Sequence, residues 1–319
     1  MVCHHCHEGS CNRFGKTSDG RQKYRCRTCR RILTEAKDRP AVEIRIPRER
    51  ALLILSLLCE GASVRAIERI TRTEKRTILR LLSLVGPGCE RLLSGLVTGV
   101  EAGDVEADEL WTYISAKAAT VKRKKIETPD AGDAYCFIGL ARETKLVLAW
   151  HLGKRTSEDA DAFMGKLAGA TSGRFHLSTD GFQGYAQAVE NNLGARVDYG
   201  QVVKEFGSVG GAEARRYAPP RLIGQEKFWI SGTPDYDRIG TSRIERANWT
   251  LRTHMRRFTR LSNGFSRKKA NLQAALALFF CFYNFVKVHK SIRMTPAMNA
   301  GLTRKLWSMG DLLDAAVAA

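Results

Sequence analysis

The sequence lacks any apolar run long enough to cross a membrane. Its longest apolar stretches, Ala51–Cys59 and Ala274–Tyr283, are well short of the roughly 20 residues that a spanning helix needs, and they predict core helices. No apolar segment follows a charged start at Met1, so no secretory signal is predicted. The expected compartment is the cytoplasm, near the nucleoid of a prokaryote. Nine cysteines in that compartment should be reduced or metal-bound.

Acidic residues are also few relative to basic ones. The 319 residues include 33 Asp or Glu and 52 Lys or Arg, which gives a net charge of +19. This balance favours a polyanionic partner, with nucleic acid as the leading candidate and no membrane partner expected. Basic residues are densest between Arg243 and Arg304, where Glu245 is the one acid. This part of the chain is therefore expected to contact a phosphate backbone.

The first 40 residues contain too few apolar side chains to build a core without help. Two Cys-x2-Cys pairs lie in this segment, Cys3 with Cys6 and Cys26 with Cys29. Two such pairs can deliver four sulfurs to a tetrahedral zinc ion, so residues 1–40 are predicted to form a zinc knuckle with one structural Zn²⁺. The alternative is reduced cysteines without metal. Spare donors that could replace one thiolate are His4, His5, His7 and Cys11.

Residues 46–97 are predicted to form an all-helical domain, because apolar residues from Pro47 to Val85 recur at three- and four-residue spacing. The segment 61–79 is typical of a helix-turn-helix, with Ser63 and Thr73 as expected caps. The Gly86-Pro87-Gly88 triplet predicts a break before another short helix. A solvated helix pair is the alternative. The residues that the second helix would present to the DNA major groove are Lys75, Arg76, Thr77 and Arg80.

From residue 103 onward the pattern changes to strands that later alternate with helices, which predicts an α/β domain with a mixed sheet at 103–290. Residues Arg142-Glu143-Thr144 are expected to form a hairpin turn. Residues 204–240 are rich in glycine and proline and predict an insertion or long loop. Residues 291–319 are expected to form a helical tail. The predicted strands are 104–115, 134–141, 145–153, 174–179 and 196–203, and the predicted helices are 157–168 and 184–193.

Three acids in this domain are candidate catalytic residues: Asp108 on the first strand, Asp180 at the end of a later strand, and Glu245 on a following helix. Two hard cations that act on a phosphodiester need such carboxylates. Each acid also has a structural interpretation that involves no catalysis. Asp180-Gly181 is a turn signal, Asp108 and Glu109 could be a solvated strand edge, and Ser242-x-x-Glu245 fits a capping box. Glu109 competes with Asp108, because adjacent strand residues face opposite ways.

Several motifs together resemble a known family, the single-reading-frame members of the insertion-sequence-one family of DDE transposases. Besides the cysteine pairs and the helix-turn-helix, they are Gly20-Arg21-Gln22-Lys23-Tyr24-Arg25-Cys26, Asp108-Glu109-Leu110-Trp111-Thr112-Tyr113, Thr179-Asp180-Gly181-Phe182, the run 241–252, and Tyr283-Asn284-Phe285 leading to His289. The resemblance implies a ribonuclease-H-like catalytic domain. It also implies a metal-binding triad at Asp108, Asp180 and Glu245 that holds two Mg²⁺ or Mn²⁺ ions.

Two features depart from the family's pattern. Asp180 and Glu245 lie farther apart than in the prototype, as in longer-spaced members with a proline- and glycine-rich insert, and Asn248 is followed by Trp249 where leucine is common. Neither departure affects the triad.

The function implied by the resemblance is binding of the terminal inverted repeats of an insertion sequence, followed by metal-dependent DNA cleavage and strand transfer. The expected partner is double-stranded DNA, both element ends and target, bound by a homodimer or larger assembly. Residues on or beside the Glu245 helix expected to contact phosphates are Arg246, Asn248, Arg252, Arg256 and Arg257. The alternatives are a DNA-binding regulator without catalysis, and a ribonuclease-H-like nuclease or junction resolvase.

Overall fold

A computed structural model describes residues 2–7, 9–18, 20–35, 45–207, 222–259 and 262–319 of the protein. The end of the predicted zinc module at 36–40 and residues 208–221 of the predicted insertion lie outside the described residues. The chain divides into two compact units, 1–51 and 52–319. The finer division into four parts stays a prediction. No helix of the described residues is long and apolar enough to cross a membrane.

The first unit contains a three-stranded antiparallel sheet. Its strands are β1 (Cys11–Lys16), β2 (Gln22–Cys26) and β3 (Ile32–Thr34), with β2 in the centre. Among the residues that the structure describes, the buried core of this sheet comprises Cys3, Cys26 and Leu33, with partly buried neighbours that include three more cysteines. So small an apolar core cannot offset the conformational entropy that the ordered chain loses. Another source of folding free energy is needed.

Three helices follow: α1 (Arg48–Cys59), α2 (Val64–Thr71) and α3 (Lys75–Leu96). The division between the units falls within α1. Ser63 caps α2, as predicted, by accepting a hydrogen bond from Ala66 N. The prediction that Thr73 caps α3 is wrong, because its hydroxyl donates to Thr71 O, and the first amide of α3, Lys75 N, donates to the Glu68 carboxylate. A left-handed Arg72 (φ 51°) makes the turn between the two helices.

The second unit is a layered α/β structure around a six-stranded mixed sheet, which confirms that part of the prediction. The remaining strands are β4 (Val100–Glu101), β5 (Asp104–Ile114), β6 (Gly132–Ala141), β7 (Val147–Gly153), β8 (Thr171–Ser172), β9 (Phe175–Asp180), β10 (Val197–Phe206) and β11 (Leu222–Ser231). The remaining helices are α4 (Ala118–Lys124), α5 (Ser157–Ala170), α6 (Gly184–Asn192), α7 (Ser242–His254), α8 (Lys269–Cys281), α9 (Pro296–Asn299) and α10 (Met309–Ala318).

The strand order in the large sheet is β11-β10-β9-β5-β6-β7. Strands β5, β6 and β7 form an antiparallel meander with the predicted turn at 142–144, while β9 joins β5 in parallel and β10 joins β9 in parallel. Helices α5 and α6 cover one face, where Phe137, Phe163 and Tyr185 are fully buried and pack ring against ring. The buried aromatic cluster fixes α6 above the β5–β9 junction.

The predicted break at Gly86-Pro87-Gly88 is wrong, because α3 runs without interruption from Lys75 to Leu96. Both glycines are buried against neighbouring helices. A Cβ at Gly86 would overlap Ala274 of α8, and a Cβ at Gly88 would overlap the carbonyl of Ala316 in α10. These glycines permit close helix packing, so tertiary contacts offset their low helix propensity.

Residues 204–240, predicted to form an insertion or long loop, contain part of one strand and the whole of another. Strand β10 continues to Phe206, and β11 pairs with it antiparallel as the edge strand of the sheet. Most side chains of β11 are exposed on both faces, so the segment shows no apolar alternation. The predicted helical tail is present as α9 and α10.

Candidate functional site

The strand register brings Asp108 and Asp180 together. Ala107 of β5 pairs with Thr179 of β9 at the last step of the parallel ladder, so the next residue on each strand is an aspartate. One ligand oxygen each from Asp108, Glu109 and Asp180 lie within 4.8 Å of one another. We call these three residues the carboxylate cluster. Such a cluster of hard oxygen ligands could hold a divalent metal ion.

Glu109 belongs to this cluster although it follows Asp108 directly, so the expectation that only one of them faces the site is wrong. Strand β9 ends at Asp180, and β5 therefore has an open edge beyond Ala107. Side chains from both faces of β5 can turn into this gap. The Glu109 carboxylate is held there by the Tyr185 hydroxyl (2.9 Å) and by the Arg155 guanidinium.

Arg155 is the cation nearest to the cluster. Besides Glu109 it approaches Asp180, with 3.5 Å between its Nη2 and the Asp180 Oδ2, and it lies flat over the Phe182 ring at 4.5 Å. Arg155 therefore neutralises part of the charge that a metal ion would otherwise meet. Its side chain is 42% exposed, so it can leave without disturbing the core.

Glu245 is not within the 4.8 Å group. It lies in the first turn of α7, where its carboxylate accepts hydrogen bonds from Thr241 Oγ1 (2.6 Å) and Lys204 Nζ. Its charge nonetheless contributes to raising the pKa of Asp108. Glu245 therefore lies outside the carboxylate cluster, with 46% of its side chain exposed.

The capping-box interpretation of Glu245 does not hold in the structure. No side chain of α7 caps its N-terminus; instead, the carboxylate of Glu106, from β5, accepts hydrogen bonds from Arg243 N (2.7 Å) and Ile244 N (2.8 Å). Glu106 is 1% exposed, and this burial raises its pKa, against the lowering effect of the Ile244 and Arg243 amides at the helix N-terminus. Glu106 therefore ties α7, and with it Glu245, to the strand that carries Asp108.

Asn248 makes the second tie between α7 and β5. It was predicted to contact phosphates, but it is 5% exposed and its side-chain amide donates to Asp108 Oδ2 at 2.7 Å. The Asp108 Oδ1 accepts from Glu109 N at 2.8 Å. The prediction for Asn248 is corrected accordingly: it holds the first carboxylate in place from within the protein.

The electrostatics of the cluster are those of carboxylates that are crowded and partly desolvated. Burial, with smaller contributions from Asp180 and Glu109, raises the pKa of Asp108 to about 7. Burial and Glu109 raise the pKa of Asp180 to about 6, against the lowering effect of Phe182 N and Arg155. Bound cations would relieve this repulsion, whereas in their absence the cluster retains a proton near neutral pH.

We expect divalent metal binding at the cluster to weaken as the pH falls. Both aspartates must be ionised to act as ligands, so protons compete with the metal below about pH 7. The Mn²⁺ affinity should be about tenfold lower at pH 6 than at pH 8, as expected for displacement of one proton from a group of pKa near 7. Calorimetric titration of Mn²⁺ in buffers of different ionisation enthalpy would measure both the affinity and the protons released. Equal affinities at the two pH values would contradict this expectation.

The other predicted phosphate contacts divide into exposed and half-buried residues. Arg246 and Arg256 are exposed, and Arg246 stacks on the Trp249 ring at 4.6 Å. Arg257 is half-buried and donates to Ser266 Oγ, and burial lowers its pKa to about 10. Arg252 is half-buried and donates to Phe258 O. Helix α7 ends at His254, so Arg256 and Arg257 lie in a separate 3₁₀ turn.

The predicted recognition residues all lie in the first two turns of α3. Lys75, Arg76 and Arg80 are exposed and Thr77 is half-buried. Arg76 approaches Glu74 at 3.8 Å in a solvent-exposed pair, which contributes little to stability. These side chains are therefore free of structural roles that would prevent contact with DNA.

The four predicted zinc ligands form a second candidate metal site in the first unit. The sulfurs of Cys3, Cys6, Cys26 and Cys29 lie within 4.8 Å of one another. Two of the separations are 3.5 Å (Cys3–Cys29) and 3.6 Å (Cys6–Cys26), close to the ~3.8 Å edge of a tetrahedron with Zn–S bonds of ~2.3 Å. Backbone amides, Cys29 N foremost, lower the pKa of Cys26 to about 6, which favours the thiolate.

The spare donors are not part of this group. His5 contacts the Arg31 guanidinium through Nδ1 at 2.9 Å, and burial raises the pKa of the Cys11 thiol, which disfavours the thiolate. The donor set that the structure assembles is thus the four-cysteine set, and it could hold zinc.

Four residues at the site were not identified from the sequence: Glu106, Arg155, Tyr185 and Lys204. Glu106 had a signal, because it alternates with Asp108 on β5 and is an acid in an otherwise buried stretch. Arg155 immediately precedes Thr156, the N-cap of α5, where a charged residue is ordinary. Tyr185 and Lys204 reach the site only through the packing of α6 and β10, which no local pattern reveals. A scan against family models gives no match, and no curated protein matches the chain.

Proposed function

We propose that this protein is a DDE transposase similar to the insertion-sequence-one family, which cleaves and rejoins DNA at the ends of a mobile element. The observation that carries the proposal is the convergence of Asp108 and Asp180 at the junction of two parallel strands, with Glu245 on a helix tied to the same edge. Three separate segments of the chain are needed to assemble these acids. Two of them, Asp108 and Asp180, meet at the centre of the sheet, and Glu245 lies on the helix whose Asn248 donates to Asp108.

The sheet topology supports a ribonuclease-H-like catalytic domain. An antiparallel meander of three strands, β5 to β7, is followed by β9, which joins β5 in parallel, and by β10, which joins β9 in parallel. Strand β11 is an addition at the β10 edge. Because β9 ends beside the middle of β5 at the centre of this sheet, ligands placed there are held by rigid elements.

In the proposed site, Asp108, Asp180 and Glu245 would hold two Mg²⁺ or Mn²⁺ ions, with Glu109 as a further carboxylate beside them. Ions bound there would supply an activated nucleophile and stabilise the leaving oxygen of an in-line displacement. The protein's own part is positional. Asn248 and Glu106 orient the carboxylates through β5 and α7, while Arg155 and Lys204 are available to contact phosphate oxygens.

The other parts of the chain support DNA as the substrate. The net charge of +19 favours a polyanion. The helix-turn-helix geometry of α2 and α3, with exposed basic residues on the first turns of α3, fits major-groove recognition. The four-cysteine module, proposed to bind one zinc ion, would add a second DNA-binding element.

We expect Arg76→Ala and Arg80→Ala to weaken binding to the element ends. The two residues are four positions apart on α3 and therefore lie on one face. Loss of a base contact typically costs about 1–3 kcal/mol, or about five- to 150-fold in affinity. Gel-shift titrations at matched salt, with the terminal repeat and a scrambled duplex, would measure the loss and its specificity. Arg91→Ala, near the other end of the same helix, is the control. Unchanged binding of the repeat by both variants would rule out the assignment.

The proposed function is tested by incubating the full-length protein with Mg²⁺ and labelled duplexes that contain the DNA flanking its gene, followed by sequencing of the products. The expected result is cleavage at defined ends and joining of those ends to new DNA. Ca²⁺ should support binding without turnover, because its looser coordination does not enforce the geometry of paired Mg²⁺ ions. Cleavage without joining would favour a nuclease or resolvase. Sequence-specific binding with no cleavage would favour a regulator.

A further inference from the structure

A cavity of about 420 Å³ lies beside the carboxylate cluster. It is formed by α4, the start of β6 and the segment that follows β7, and its size is within the range of small-ligand pockets. We propose that this cavity binds a single unpaired nucleotide of a DNA strand, with the base against Tyr135 and the phosphates near Lys122, Lys154 and Arg155. The inference rests on the proposed function, from which it takes DNA as the substrate. It adds that one nucleotide of that DNA is unpaired when it is bound.

The cavity offers a surface on which a nucleobase can stack. Tyr135 is half-buried on β6 and lines the cavity, while Ala118 and Val121 of α4 contribute apolar lining. Tyr135 lies opposite Trp111 in the β5–β6 register, so a second ring flanks it on the same face of the sheet. The Lys117 ammonium lies 5.8 Å from the centre of the Trp111 ring. Rings interleaved with cations are the arrangement that binds unpaired strands through base stacking.

The charges of the cavity favour an anion. Lys122, Lys154 and Arg155 line it, against one acid, Asp133. The Asp133 carboxylate accepts a hydrogen bond from Ala118 N (3.0 Å), and its backbone carbonyl accepts one from Lys154 Nζ (2.7 Å). Asp133 therefore maintains the shape of the cavity. Because Arg155 is already paired with Glu109 and Asp180, the positive charge that the cavity offers comes mainly from Lys122 and Lys154. Two lysines that line a cavity with an aromatic ring suit a phosphate-bearing aromatic ligand better than a neutral metabolite.

Arg155 connects the cavity to the carboxylate cluster, because it lines the first and contacts Glu109 and Asp180 in the second. A nucleotide in the cavity would therefore lie next to the phosphodiester at the cluster. A base can enter such a cavity only when it is unpaired, and the energetic cost of unpairing is smallest where it is already single-stranded or frayed. The substrate implied is a DNA end with an extrahelical or overhanging nucleotide.

The test is binding of the full-length protein to three labelled duplexes without added divalent metal: a blunt end, a short single-stranded DNA overhang, and the same overhang with abasic residues. Fluorescence anisotropy should show tightest binding of the overhang that carries bases. Tyr135→Ala should weaken that binding by about tenfold and leave the blunt and abasic duplexes unchanged, because one base-stacking contact is lost. Tyr135→Phe, which keeps the ring, should bind like the parent. Lys122→Ala should reduce the salt dependence of overhang binding.

The matched control is Tyr236→Ala, which removes an exposed tyrosine whose ring lies 5.0 Å from the Lys227 ammonium, outside the cavity. It should bind all three duplexes like the parent. The proposal is overturned if Tyr135→Ala binds the overhang as tightly as the parent, or loses affinity equally for all three duplexes. The proposal is also overturned if free dAMP competes for binding while the protein binds the overhang duplex no more tightly than the blunt one. This binding test is independent of the cleavage test of the proposed function. If overhang binding depends on Tyr135 but the protein cuts no DNA, the nucleotide-binding cavity is supported and the transposase function is rejected.

Discussion

Asp180→Asn should abolish cleavage and strand transfer, to the level seen without added Mg²⁺, while DNA binding stays intact or becomes slightly tighter. Asp180 ends β9 within 4.8 Å of the ligand atoms of Asp108 and Glu109, so it is placed to bridge two cations. The amide has the same shape but lacks the negative charge that retains them. Removing a carboxylate near the phosphates also removes repulsion toward DNA. A gel assay for binding, run beside a cleavage assay on the same preparations, measures both quantities.

The comparison should include Asp108→Asn and Glu245→Gln, with Asp237→Asn as the control for loss of one exposed aspartate. Near-parental cleavage by any of the three site variants would remove that residue from the triad. A melting experiment separates loss of activity from loss of fold. The raised pKa values of Asp108 and Asp180 mean that their ionised forms destabilise the metal-free protein as the pH rises through about 6 to 7. Asp108→Asn and Asp180→Asn should therefore melt at the same or a higher temperature than the parent at pH 8 without Mg²⁺.

Removal of zinc should unfold the first unit of the protein. In the described part of this unit the buried core is Cys3, Cys26 and Leu33, whereas a structural zinc ion contributes an apparent binding free energy of about 10–16 kcal/mol near neutral pH. We expect one zinc per chain in the parent and almost none in Cys26→Ser. A strong chelator should make residues 1–35 sensitive to protease while the second unit stays resistant. Metal analysis and limited proteolysis measure these outcomes.

Cys11→Ser is the matched control for this experiment, because Cys11 lies in the same small core but outside the four-sulfur group. It should retain zinc and protease resistance. A parent without zinc would contradict the metal site, and so would a Cys26→Ser protein as resistant as Cys11→Ser. If the module binds zinc but contributes nothing to DNA affinity, the zinc site stands and the proposed DNA-binding role of the module is rejected.

The sheet of the second unit could be predicted closely where burial produces a pattern. Strands β5, β6 and β7, their turn at 142–144, helix α5 and strand β9 lie within a few residues of the predicted bounds, because each alternates or clusters its apolar residues against one core. Strand β11 was missed because an exposed edge strand has no buried face to show. The prediction of a break at Gly86 and Gly88 was wrong because both glycines lie against other helices, where a side chain would not fit. The local sequence gives no sign of these contacts.

The candidate site shows the same limit. Asp108, Asp180 and Glu245 could be singled out because carboxylates at strand and helix ends are visible in the sequence. The role of Asn248 was misassigned, since its position on α7 beside basic residues suggested an outward side chain, while the rotation of α7 turns it toward Asp108. Arg155 could not be predicted, because its partners Glu109 and Asp180 come from strands far away in the chain. Pairings of this kind depend on register, and register is a property of the assembled sheet.

The close packing of α3 has a consequence for how the protein would measure DNA. Helix α3 carries the predicted base-reading residues at its first turns, and Gly86 and Gly88 seat its second half directly on α8 and α10 in the same compact unit as the carboxylate cluster. Under the proposed function, the helix that reads DNA and the cluster that cuts it would belong to one compact unit. The position of the cut would be set by counting base pairs from the recognised sequence. One base pair inserted between them would move the scissile bond by about 3.4 Å and rotate it around the duplex, out of phase with the cluster.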